Sequence, residues 1–306
     1  MGSSSWSSDA YQNLRASNST KSTNQIFTQS AKKTTATELS PINLKFREAR
    51  DSDAHPESLA VIVNLDVTGS MGRIPEVMVR EKLGTLMDTL ISHGIKDASI
   101  LFGAIGDHFT DTDPLQVGQF ESGTDEITKC LTSIYLEGYG GGQVKESYLL
   151  AWLIAARHTS IDCFEKRGQK GILFTIGDEA SWDKVSADKL KNLLGYSEAT
   201  EITDKDILEE AQRMYHVFHI HVNEGSYKDN PTVLEYWRNM VGERLIILDN
   251  YQNIAELIAS TVAIIHGIDI DQVTKSFSPA VASSIKNALV RVDTSVAKQS
   301  NKVITF

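Results

Sequence analysis

VIVNLDVTGSMGRIPE, residues 61–76, changes character at its middle. The apolar run stops at Asp66. Two hydroxyl residues and two glycines follow, and Pro75 then stands where the first turn of a helix accepts it. A run without polar alternation is the pattern of a strand buried on both faces, as in a parallel sheet. Asp66, Thr68 and Ser70 therefore sit at the carboxyl end of a buried strand, each with an oxygen to offer to one point in space.

The same texture recurs outward from this stretch. LAVIVNLD (59–66), ASILFGAI (98–105), GILFTIG (171–177), HVFHIHV (216–222) and RLIILD (244–249) read as core strands, and LQVGQFE (115–121) alternates like an edge strand. Ile74, Val77, Met78, Leu86, Met87, Leu90 and Ile91 recur at helical spacing, and Gly94 ends that helix. Further helices are predicted over 124–136, 146–160, 186–195, 204–214, 231–242 and 252–266. The second of these, ESYLLAWLIAARHTS, is apolar nearly all round and so belongs inside. Strands alternating with helices predict an α/β fold: a doubly wound, mostly parallel, Rossmann-like sheet with helices on both faces, spanning 58–266. Residues 1–57 are rich in Ser, Thr, Asn, Gln and Lys and predict a flexible, low-complexity arm. Residues 267–306 predict a C-terminal extension with one short helix, 278–291, and a tail.

Bulk composition narrows the function. Of 306 residues, 41% are hydrophobic and 23% charged, as in a globular protein. The net charge of -10 opposes nonspecific attraction to nucleic acid or an anionic membrane. Cys130 and Cys163 lie in segments read as helical and form no disulfide framework, which fits a reducing compartment. No apolar run is long enough to span a bilayer. MGSSSWSSDA lacks the apolar core of a secretion signal and has Trp6 where a myristoylation signal takes Ser or Thr. The expected location is the cytoplasm or an intracellularly assembled particle.

Ligands of a doubly wound sheet bind beyond the carboxyl ends of its strands. Asp66, Asp107 and Asp178 each fall at or just past such an end, and Glu146 opens the buried helix after the Gly-rich stretch GYGGGQ. Hydroxyls give a hard cation oxygen without added charge, while Asp66 and Asp178 can bind directly or through water.

DVTGSMG (66–72) resembles the D-x-[ST]-G-S-M motif that opens the metal-ion-dependent adhesion site of von Willebrand factor A domains. Asp66, Thr68 and Ser70 match it one for one. GGGQVKES is similar to the family's G-G-x-x-x-P-E variant of the second loop, with Glu146 as the match and Lys145 in place of proline. TIGDE stands where the third loop reads T-D-G, with Asp178 as the equivalent and Glu179 as its substitute. FGAIGDH is similar to the strand-end R-D-H of intracellular bacterial members, and the run from Glu146 to Glu179 resembles bacterial and phage-encoded ones. The resemblance covers residues 58–266. It implies Mg²⁺ (or Mn²⁺) on Thr68, Ser70 and Glu146, with Asp66 and Asp178 supporting. It also implies a protein partner whose Asp or Glu completes the shell. Nucleic acid, membrane and a catalytic residue are not implied. Glu146, if it binds directly, tightens the metal and softens its attraction for an incoming carboxylate.

Other readings stay open at this level. DVTGSMG also serves as a plain strand-to-helix turn capped by Thr68 or Ser70, leaving an assembly protein that self-associates through its arm and tail. It resembles, too, the D-K-T-G-T loop of P-type ATPases in the haloacid dehalogenase superfamily. Asp66 would there be a nucleophile and Gly177 to Asp183 a G-D-x-x-x-x-D metal loop. Against this, Val67 replaces the Lys, no cap domain is visible, and Glu146 has no role. His219 and His221 share a strand face without an identifiable third ligand. Asp107 and His108 could orient the rim. Trp152 and Trp237 read as core, and Asp204 to Glu210 as a solvated acidic helix start.

Overall fold

A computed structural model describes residues 4–138, 145–196 and 200–292, without the side chain of Ser70. Its centre is a six-stranded sheet. The strands are β1 (Leu59–Asp66), β2 (Ala98–Ile105), β3 (Leu115–Val117), β4 (Gly171–Gly177), β5 (Tyr215–Val222) and β6 (Leu245–Leu248). They lie in the order β6-β5-β4-β1-β2-β3. Five run parallel, and β3 pairs antiparallel with β2 at one edge. The sheet is therefore mixed.

Every residue of β1 is buried, as its unbroken apolar run requires. Val61, Val63 and Leu65 enter one core with helices Leu83–Ser92 and Ile254–Ile265. Ala60 and Ile62 enter the opposite core with helices Tyr148–Arg157, Asp204–Met214 and Pro231–Val241. Side chains alternate across a strand, so one central strand supplies both layers. Trp152 and Trp237 are fully buried in the second core, as expected. Cys130 and Cys163 are free, and burial pushes the Cys130 thiol up to about 11. No described helix is long and apolar enough to cross a membrane.

The expectation of a free arm over 1–57 is corrected here. Residues Ser8–Ser19 form a helix, and Tyr11, Ile26, Phe27 and Leu39 are buried in the first core. Trp6 Nε1 and Ser8 Oγ both donate to Asp88 Oδ1, at 2.9 and 2.6 Å. Arg80 donates to the carbonyls of Asn18 and Lys21. The docking surface is a helix whose middle, Met78–Lys82, is wound as a π turn. Gly84 follows that turn, and a Cβ there would stand 2.6 Å from the Tyr11 ring. A few large anchors thus fix a segment whose average composition is polar. Tyr11→Ala is expected to cost about 3 kcal/mol and to open the segment to limited proteolysis. An unchanged cleavage pattern would show that the arm is held by other contacts.

The C-terminal extension contains Ile270–Val273 and the expected helix, Pro279–Leu289, packed on Ile254–Ile265 and β6. The tail beyond residue 292 lies outside the described residues. The acidic run at 204–210 begins helix Asp204–Met214, but it is not wholly solvated. Asp204 is buried and accepts from Tyr236 Oη at 2.8 Å.

Candidate metal centre

From β1 the chain moves to β2 on one side, and only later returns to lay β4 on the other. The strand order reverses between β1 and β4, which opens a crevice at their carboxyl ends. Asp66 ends β1, Asp178 follows β4, and Asp107 lies two residues past β2. Glu146 reaches the same rim by a different route from the one its sequence suggests. It does not open the buried helix, which begins at Tyr148. Lys145 and Glu146 instead pair in parallel with Ala180 and Ser181, just past β4. That pairing hangs the second loop on the third.

Three of the expected residues meet directly. Asp66 Oδ1 accepts from Thr68 N at 2.8 Å and from Thr68 Oγ1 at 2.6 Å. Thr68 Oγ1 also lies 3.1 Å from Glu146 Oε1. One hydroxyl hydrogen cannot serve two carboxylates at once, so a proton on Glu146 or a cation must complete the set. Asp66 Oδ2 accepts from Tyr148 Oη at 3.1 Å. Gly177 makes room for this bond, because a Cβ there would stand 1.8 Å from Tyr148 Oη and 2.9 Å from Asp66 Oδ2. Asp178 stands beyond, under Gly225, whose Cβ would come within 1.9 Å of Asp178 Oδ2. Ser70 has its backbone in the short turn Gly69–Gly72, and its side chain is outside the described set. GYGGGQ falls almost wholly on residues outside that set as well.

The electrostatics are one-sided. Asp66, Glu146 and Asp178 are all buried. Burial raises the pKa of these three and of Glu179, and the charges of neighbouring carboxylates raise Asp66, Glu146 and Glu179 further. Glu179 reaches about 8. Among the described residues, no Lys, Arg or His lies within ion-pair distance of these four groups. Glu146 Oε2 and Glu179 Oε2 are buried without a hydrogen-bond partner. Such carboxylates are costly unless protonated or matched by a cation. Among the described residues, no three Asp, Glu, His or Cys side chains form a metal cage by themselves. A cation held on two hydroxyls and one carboxylate, with others acting through water, needs no such cage. The donor set fits a hard divalent ion.

Around this centre, Asp107 Oδ1 accepts from Trp182 Nε1 at 2.8 Å, and Ser147 Oγ lies 2.8 Å from His108 Nδ1. Both residues brace the rim rather than line the cluster. Tyr148 and Trp182 are the contributors the sequence reading missed. The only signal for Tyr148 was a hydroxyl on an otherwise apolar helix. His219 stacks on Trp237 with ring centroids 3.4 Å apart and shares a 3.0 Å contact with Thr175 Oγ1. Both His219 and His221 are fully buried. Asp183, which the dehalogenase-type loop would need as a metal ligand, is 68% exposed and 3.5 Å from Lys145 Nζ.

No protein-family profile and no curated protein matches the chain. Solved structures do. A pilus adhesin, SpaC from Lactobacillus rhamnosus GG in its open conformation, is similar over 72% of this chain at 11% identity with a TM-score of 0.44. Proximal thread matrix protein 1 from the mussel byssus is similar over 67% at 10% identity with a TM-score of 0.43. This chain spans 31% of the adhesin chain and 48% of the byssus protein.

Proposed function

We propose that the chain is a von Willebrand factor A-type module, its sheet the doubly wound sheet of that family, which binds a protein partner through a divalent cation. Thr68, Ser70 and Glu146 hold Mg²⁺ (or Mn²⁺) directly, and Asp66 and Asp178 support it. The observation that carries this reading is Glu146 Oε2, buried and unpartnered beside Thr68 and the like-charged Asp66. When bound, the ion supplies an electropositive point with room for an outside oxygen ligand. Asp66 orients Thr68 through two hydrogen bonds, and Tyr148 fixes Asp66 in turn. The partner's contribution is an Asp or Glu side chain. Phosphoryl transfer is less well served, because both Asp66 oxygens are hydrogen-bonded and the residue is fully buried, leaving no open line for in-line attack.

The test is calorimetric titration of Mn²⁺ into the wild-type protein and into Glu146→Gln. One ion per chain is expected in the wild type, with affinity lowered at least about tenfold in the variant. Acidic ligands are then titrated into the loaded protein. Absence of ion binding in the wild type would reduce the loop to a turn and favour an assembly role for the chain. Turnover of a phosphomonoester, lost in Asp66→Asn, would overturn the binding assignment.

A further inference from the structure

The two edges of the sheet are finished differently. At the β3 edge, Arg47 Nη2 donates to the Val117 carbonyl at 3.0 Å, and residues 37–39 lie against the strand. The β6 edge has no such cover among the described residues. Across the β5–β6 ladder, Leu248 O accepts from Asn223 N at 2.8 Å. Both backbone groups of one strand residue point the same way, and successive residues alternate. Leu248 and Ile246 therefore face β5, and the N–H and C=O of Ile247 face outward. The side chains alternate with the same period: Leu245 and Ile247 are half-buried while Ile246 and Leu248 are fully buried. No described strand pairs with β6 on this side.

Beyond this edge lies a groove of about 1180 Å³. Leu245, Ile247 and Asp249 line one wall, the same alternate residues whose backbone faces out. Helix Pro279–Leu289 and the residues after it line the other wall, through Ala288, Val290 and Val292 among others. Val290 is 77% exposed, an apolar side chain that no described residue covers. A four-residue edge is a short one, which limits unwanted pairing. It is also the geometry that accepts one added strand.

The chain itself supplies an occupant. The chain leaves the helix after Leu289, passes Val292, already a groove residue, and continues through 293–306. At about 3.3 Å per residue, that length exceeds the span of β6 several times over. It contains Lys302-Val303-Ile304-Thr305-Phe306, four successive β-formers in an otherwise polar stretch. We propose that the open edge of β6 is a strand-acceptor groove and that residues 302–306 of this chain's own tail add to it. Ile247 then exchanges backbone hydrogen bonds with the tail, and alternate apolar tail side chains cover Val290 and Val292. The metal centre plays no part in this pairing.

Amide hydrogen exchange on the full chain tests it, comparing the wild type with Ile304→Pro. Proline removes a donor and cannot continue the ladder. The Ile247 amide is expected to exchange at least about tenfold more slowly in the wild type than in the variant. The Ile246 amide, which faces β5, should be slow in both and reports an intact fold. A synthetic peptide of residues 296–306 added to Ile304→Pro should restore protection at Ile247. Fast exchange at Ile247 in both proteins would overturn the proposal, as would slow exchange in both, which would mean another segment covers the edge. Protection that rises with protein concentration would assign the added strand to a second copy instead.

Discussion

Asp66→Asn is expected to fold as the wild type does, to bind no Mn²⁺, and to lose less stability than the wild type as pH rises toward 8. The amide keeps the local geometry, because its oxygen still accepts from Thr68 N and Thr68 Oγ1 and its nitrogen can donate to Tyr148 Oη. What it removes is one negative charge from a buried cluster that no described cationic side chain matches. The sign follows from linkage. Carboxyl groups whose folded pKa lies above the unfolded value hold protons that the unfolded chain releases. Stability of the metal-free wild type therefore falls as pH rises from about 4 to about 8, by a few kcal/mol in order of magnitude. Adding Mn²⁺ should reverse that fall, since the ion takes the place of the protons and its affinity should grow with pH. Thermal melts at pH 5 and pH 8, with and without Mn²⁺, read all of this together. A wild-type melting temperature that does not respond to Mn²⁺ at pH 8 would sink the assignment, as would an Asp66→Asn protein that still binds the ion.

Gly177→Ala should be the most damaging single-methyl change in the chain's central strands. The added Cβ would meet Tyr148 Oη at 1.8 Å and Asp66 Oδ2 at 2.9 Å, both inside the protein with nowhere to retreat. Overpacking of this kind costs on the order of 3 kcal/mol. It would also separate Tyr148 from Asp66, so ion affinity should fall more than about tenfold. Gly72→Ala is the control. It lies in the same motif, yet a Cβ there meets only Val67 O at 3.5 Å, an ordinary contact. Denaturant melts and Mn²⁺ titration of the two variants should differ clearly. Equal effects would mean that loop flexibility, not the fit around Tyr148 and Asp66, controls the site.

The sheet and its crevice were legible because unbroken apolar runs have one economical explanation, a strand covered on both faces. The common rim of Asp66, Thr68 and Asp178 was legible because polar groups at the ends of such strands fall there; Glu146 was matched through the resemblance of its loop. The polar arm was not. Large apolar side chains are sparse over residues 1–57 and leave the average composition polar, yet Tyr11, Ile26, Phe27 and Leu39 are buried in the first core. The one hint was Gly84 inside a helical pattern, a gap whose filler lay more than seventy residues upstream. The local setting of Glu146 was also hidden. A two-residue strand pairing with Ala180 and Ser181 has no periodicity to read. The histidines of β5, read as lacking a third ligand, show a limit of spacing arguments. Their spacing suggests ligands, but spacing alone does not reveal that Trp237 stacks on one of them.

The sheet order carries a consequence for how the chain is made. β1 emerges first but lies in the middle, between β2, which follows within forty residues, and β4, which comes more than a hundred residues after it. A ribosome extends a chain from its N-terminus, so one side of β1 stays unpaired until Gly177 has been synthesised. During that interval an unbroken apolar edge is open to the wrong neighbour, and closing it requires a contact of long sequence separation, which is slow. The acidic crevice cannot exist earlier either, because Asp178 is the residue that follows β4. Nascent chains halted before residue 171 should therefore be prone to aggregate and blind to Mn²⁺. Those released beyond the end of β6 should be neither.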